Sequence, residues 1–209
     1  MPTRPPAGTP SPALAQALAG AAHERSRATP AAAFALAQAT FRRGERLDMA
    51  ALAAELGVAR TTLYRWTGDR EQLLSDLIWA DMHGLLTHIA QRATTRGADR
   101  VREVADHYLT ALSSGSMQRF LAAEGDNGLR LITDLDGAVR PRLVATATDL
   151  IDAEVAAGHY RPPEDPELLA DVIVSVGERF LHHNGDPAMN PDLDTARRAI
   201  ALIVRENPA

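Results

Sequence analysis

The sequence predicts an all-α chain, and three observations carry that expectation. Beyond Thr29, apolar residues recur at three- and four-residue intervals. Glycines, prolines and capping residues fall at the ends of those periodic stretches. No run alternates apolar with polar side chains between turn signals, as a half-buried strand would. The 209 residues suffice for one compact domain or two small ones. Cysteine is absent, which excludes a disulfide scaffold and a cysteine zinc site. The apolar runs fall far short of the ~20 residues that cross a bilayer, and the Pro/Gly/Ala-rich start lacks the basic flank and apolar block of an export signal. A soluble cytoplasmic protein without a membrane partner is therefore expected.

In chain order, residues 1–27 read as a flexible arm. Pro2, Pro5, Pro6, Pro10 and Pro12 sit among few large apolar groups, and the stripe over 13–22 is thin enough for at most a short helix. Thr29 and Pro30 supply an N-cap and a proline at the first helical position, and Phe34, Leu36, Ala37 and Phe41 form a face that ends at Gly44. Asp48 caps a second helix over 49–56, broken by Gly57. A third runs over 59–66, and a fourth, opened by Gly68 and Asp69, extends to Arg92. Val101, Val104, Ala105, Tyr108, Leu109 and Leu112 make the clearest amphipathic stripe. Two short helices flank an expected turn over 125–128. Pro141 opens a helix with Leu143, Ala147, Leu150, Ile151 and Val155 inward, closed by Gly158. After the rigid Arg161-Pro162-Pro163 loop, helices over 168–183 and 193–204 end the chain, the first with Leu168, Leu169, Val172, Ile173, Val176 and Phe180 as its apolar groups.

Function enters through charge and spacing. The net charge is −5, and all 22 basic residues are arginine. Between His23 and Arg70 eight arginines stand against five carboxylates, so a basic segment precedes an acidic remainder. That asymmetry suits a chain of which one part faces phosphate. Residues 49–64 match the helix-turn-helix spacing: Ala53 is small where two helices cross, Gly57 can turn left-handed, and Val58 and Leu63 bury the back of the second helix. Arg60, Thr61, Tyr64 and Arg65 then face outward with the hydroxyl and guanidinium groups that read base edges or grip phosphate. In an ordinary helical hairpin the same side chains would merely face solvent.

The stretch from Phe41 to Leu74 resembles the DNA-binding signature of the TetR family. It reads Phe-x-x-Gly, then Met-x-x-Leu-Ala-x-x-Leu-Gly-Val-x-x-Thr-Thr-Leu-Tyr-x-Trp, then Gly-Asp-Arg-Glu-Gln-Leu-Leu. Further phrases, Pro-Arg-Leu-Val-Ala and Gly-Glu-Arg-Phe-Leu among them, look like the QsdR-type subgroup. The resemblance implies a helix-turn-helix domain over 28–74 and a helical effector-binding and dimerisation domain over 75–209. It implies Arg46, Arg60, Thr61, Thr62, Tyr64, Arg65, Trp66 and Arg70 as DNA-binding residues, with Tyr64 at the phosphate-contacting tyrosine and Arg70 where a lysine usually meets phosphate. Two departures matter. Ala59 replaces the usual hydroxyl N-cap, and Trp66 replaces a phenylalanine, where packing and an indole N–H contact to phosphate compete.

The resemblance further implies a two-fold homodimer paired through the last two helices, double-stranded DNA as partner, and a small apolar or lactone-like effector that releases a repressor from a near-palindromic operator. Expected effector-binding residues, chosen by inward helical phase and unusual core chemistry, are Trp79, Met82, His83, Leu86, Tyr108, Leu112, Phe120, Glu178 and His182. Glu178 and His182 lie four apart, but two ligands are not a metal site, and no metal or other cofactor is expected. The sequence holds no nucleophile elbow, P-loop or dinucleotide fingerprint, so an enzyme is not expected. The remaining alternative is a helical dimerisation or small-molecule-binding protein that does not regulate through DNA.

Overall fold

A computed structural model describes residues 28–181 and 193–206, which form helices joined by short turns. The arm expected over 1–27 lies outside the described residues. Helix α1 (Pro30–Arg43) starts where the Thr29 hydroxyl accepts from the Ala32 N–H at 3.1 Å and stops at Gly44, whose φ is 74°. Helix α2 (Met49–Glu55) is capped by Asp48, which accepts from the Ala50 and Ala51 N–H groups at 2.7 and 3.2 Å. Helix α3 (Arg60–Thr67) follows, and then α4 (Arg70–Arg92), capped by Asp69 and ~35 Å long at 1.5 Å per residue. Next come α5 (Gly97–Leu112), α6 (Gly115–Glu124), α7 (Asp126–Thr133), α8 (Arg140–Ala156), α9 (Pro166–Leu181) and α10 (Leu193–Ile203).

Helices α1 to α3 and the first turns of α4 close around Ala37, Phe41, Leu52, Ala53, Leu63 and Leu74, all buried. Helices α5, α7 and α8 pack on α4, while α9 packs on α8 and α10 packs on α5 and α9. Because α4 is continuous through both groups, the expected domain boundary at 74/75 falls inside one helix. A second connection runs through α6, which packs on α1. There the Phe41 and Phe120 rings are 4.9 Å apart, and an Arg119 N–H donates to the Arg42 carbonyl at 2.8 Å. The approach is so close at Gly44 that an added Cβ would stand 2.5 Å from Cβ of Arg119.

Two expectations need correction, and α9 turns to solvent a face that the sequence did not assign. The turn over 125–128 is a single residue, Gly125 at φ 57°, with Asp126 to Gly128 already in α7. Val155 is 38% exposed, and Glu154 is the buried residue of that turn. Leu168 and Val172 are also exposed, at 52% and 36%, while Leu169, Ala170 and Val174 are buried. Helix α9 carries apolar groups on several sides of the polar stripe Asp171, Ser175 and Glu178, so apolar content alone does not select the face that meets the body.

Candidate nucleic-acid interface and effector cavity

The second and third helices form their corner as the sequence requires. Gly57 takes φ 66° at the end of α2, Ala53 is buried at the crossing, and Leu63 is wholly buried beneath α3. With Leu63 inward, helical geometry turns Arg60, Thr61, Tyr64 and Arg65 outward, and all four are exposed. Thr62 is half-buried. Trp66 is also half-buried and packs against the core, the packing side of the two readings of this residue. No side chain caps the start of α3 at Ala59, which leaves that end of the helix to solvent. Arg46, Arg60 and Arg65 have no ion-pair partner among the described residues.

Arg70 is differently placed. Its Nε–H donates to the Leu47 carbonyl at 2.8 Å, and its terminal nitrogen pairs with Glu124 at the end of α6. The Glu124 side chain is only 4% exposed against 29% for Arg70. The guanidinium expected to meet DNA is thus engaged by a nearly buried carboxylate at the end of α6. Glu124 was not foreseen, because a glutamate before a glycine carries no local signal of a long-range partner.

An apolar cavity lies between α4, α5, α7, α8, α9 and α10. Its volume is about 70 Å³ and its walls are almost wholly apolar. Of the expected effector residues, Met82, Leu86, Tyr108, Leu112 and Glu178 line it. Trp79, His83 and Phe120 do not. Trp79 and His83 stack on each other along α4 with centroids 4.9 Å apart, His83 being exposed, and Phe120 is taken up by Phe41 at the α1–α6 contact. Inward phase on a helix with neighbours on several sides does not say which neighbour is met. His182 lies outside the described residues.

The polar residues of this wall are Tyr108 and Glu178, and the second is held by Arg140, which does not itself line the cavity. Arg140, 7% exposed, donates to Asp171 at 2.8 Å, to the Ser175 hydroxyl at 3.1 Å and to Glu178 Oε2 at 3.2 Å, tying α8 to α9. Burial alone would lower its pKa, but these partners hold it above the ordinary arginine value. Glu178 Oε1 lies 2.9 Å from the same Nε, yet the N–H direction serves Oε2, and Oε1 accepts no hydrogen bond among the described residues. Burial pushes the Glu178 carboxyl upward, and Arg140 opposes it. The Tyr108 hydroxyl is also buried without a hydrogen-bond partner among the described residues. Its pKa is raised by burial and secondarily by the Asp81 charge. Arg140 was missed at the sequence level. The available signal was the polar stripe Asp171, Ser175 and Glu178 on one side of an otherwise apolar helix.

Comparison with known proteins supports this architecture. Residues 96–205, just over half of the chain, match the family model described as tetracyclin repressor-like, C-terminal domain. The transcriptional repressor QsdR of R. erythropolis, a TetR-family protein, superposes with a TM-score of 0.75 at 23% identity, over 86% of this chain and 97% of that one. The TetR-family regulator PfmR of Thermus thermophilus gives 0.42 at 19% identity, over 81% and 94% of the two chains. A TetR-family transcription regulator of a Shewanella species gives 0.42 at 18%, over 85% and 96%. No curated protein matches the sequence.

Proposed function

The chain belongs to the TetR family, and from that premise we propose that it is a ligand-responsive, DNA-binding transcriptional regulator, acting in the cytoplasm as a homodimeric repressor. The observation that carries the reading is the face of α3, where Arg60, Thr61, Tyr64 and Arg65 stand exposed above the buried Leu63. In a major groove, Arg60 and Thr61 at the start of the helix would reach base edges, Tyr64 would meet a backbone phosphate, and Arg46 and Arg65 would add cationic contacts. Thr62 and Trp66, half-buried, would act at the edge of that surface, and Arg70 would have to exchange Glu124 for a phosphate.

A single short helix reads too few bases, so two copies are needed. The exposed Leu168 and Val172 of α9 and Leu202 of α10, 74% exposed, supply apolar surface for pairing these helices with their copies. The cavity is the proposed effector site. At about 70 Å³ it is well below the several hundred that enclose a drug-sized ligand, so an effector of that size must part its walls. Met82 and Leu86 in those walls belong to α4, the helix whose first turns carry Leu73 and Leu74 beneath α1 to α3. Parting the walls therefore displaces the DNA-reading helices, and ~1.4 kcal/mol of such coupling changes DNA affinity about tenfold. The QsdR-type resemblance would make the effector a small apolar or lactone-like molecule.

Selection of duplexes from a random pool tests the reading. Specific sites with two-fold symmetry are expected, and log K should fall by ~0.9 per phosphate neutralised as log salt rises. Tyr64→Ala should weaken every sequence, whereas Arg60→Ala should change the preferred one. Recovery of no duplex would leave a helical dimerisation or small-molecule-binding protein.

A further inference from the structure

We propose that the cavity selects its ligand by hydrocarbon alone: what enters is a small apolar molecule, or the apolar end of a larger one, and an oxygen or a charge carried inside finds no partner. This rests on the reading of the cavity as an effector site and narrows its ligand class. The side chains of Met82, Leu86, Val104, Leu112, Ile132 and Ile151 offer only hydrocarbon and thioether surface. The lining residues all lie in helices, past the leading positions whose N–H groups lack a partner. Leu143 stands nearest to a helix start, and its N–H donates to the Val139 carbonyl at 3.0 Å. The backbone of the wall therefore has no donor left for a ligand oxygen.

The two polar residues of the wall do not change this. The Tyr108 hydroxyl and Glu178 Oε1 are covered by their neighbours and present no surface to the void. Glu178 is tied to Arg140, which also carries Asp171 and stands outside the lining, so a ligand carboxylate meets no cation there. A polar ligand atom would give up its hydration and gain nothing in return, whereas each apolar carbon gains burial. Size sets the second limit. The void of about 70 Å³ is about half of the ~150 Å³ apolar cavity that takes up benzene, so a six-membered ring has to part the walls. A lactone ring of that size brings two oxygens, and its ester group has to stay outside or bind unpaired.

The test titrates cyclohexane, tetrahydropyran and δ-valerolactone, six-membered rings with none, one and two oxygens in reach of the wall, into the full chain. Ligand-observed NMR reads binding, and a gel shift on a selected duplex reads DNA release. Saturable binding of cyclohexane is expected, about tenfold tighter than tetrahydropyran, the loss expected for one buried oxygen without a donor, with δ-valerolactone weaker still. In Ala147→Leu, which fills the void, cyclohexane binding should fall at least about tenfold while a thermal melt shows that the variant folds. The ring series in the unaltered chain decides the matter whether or not that variant folds. Tetrahydropyran or δ-valerolactone binding as tightly as cyclohexane overturns the proposal, and so does cyclohexane binding that survives Ala147→Leu or is not seen at all. If the hydrocarbon preference holds and cyclohexane leaves duplex binding unchanged, the effector reading fails and the ligand class stands. Release of DNA by δ-valerolactone bound as tightly as cyclohexane does the reverse.

Discussion

Removal of the Arg70 guanidinium tests the connection between α4 and α6 most directly. In Arg70→Ala the Glu124 carboxylate, 4% exposed, loses its cation, and the Leu47 carbonyl loses a donor at 2.8 Å. Breaking a fully buried pair from one side costs about 3–5 kcal/mol. Arg70 is itself 29% exposed, so water replaces part of the interaction and about 2–3 kcal/mol is expected. For a chain of this size each kcal/mol lowers the melting temperature by about 2–4 °C, so a fall of about 4–12 °C should follow. Glu124→Gln keeps an acceptor and discards the charge, for a loss of about 1 kcal/mol. In the double variant no uncompensated charge remains, and the combined loss should be smaller than the sum by about 1 kcal/mol or more. Urea melts followed by circular dichroism measure all four corners of the cycle. Losses that add to within about 0.5 kcal/mol would refute the argument, since that is how independent sites behave. For DNA, Glu124→Gln should tighten binding to every sequence without altering the preferred site, because it frees a cation that reads no base.

Three further outcomes are expected. Gly97→Ala should destabilise the fold by about 2–3 kcal/mol in a denaturant melt, since Gly97 sits at φ 62° and its Cβ would lie 2.3 Å from the His159 carbonyl oxygen, a backbone atom that cannot yield. Bonds from the Ala51 and then the Ala50 N–H hold the Asp48 carboxyl below its ordinary pKa. Its contribution is therefore complete above the unfolded value near pH 4 and is lost as pH falls through the lower folded value. Asp48→Asn, which keeps the cap, should show a shallower loss of melting temperature between about pH 5 and pH 2. Ala147→Leu, placed in the cavity wall, should raise the melting temperature of the free protein by filling the void and abolish any ligand-induced release from DNA. An unchanged response to ligand would move the effector site elsewhere.

Local grammar determined the helices and the exposed face of α3. Thr29-Pro30, Asp48, Gly57 and Asp69 act within a turn of themselves, so caps and stops are written in the chain, and the burial of Leu63 follows from a period that a short helical stretch already displays. The resemblance of the stretch between Phe41 and Leu74 to the family signature likewise needs only its residue types and their spacing. The partners of α4, α6 and α9 are another matter. Whether Phe120 meets a ligand or Phe41, whether Leu168 faces the body or solvent, and whether Arg70 faces solvent or Glu124 depend on residues dozens of positions away. A helix surrounded on several sides has inward faces in more than one direction, and its own period cannot rank them. Only the packed arrangement shows that Tyr108 and Glu178 share one apolar cavity, because burial and the lack of a partner are properties of the whole assembly of helices.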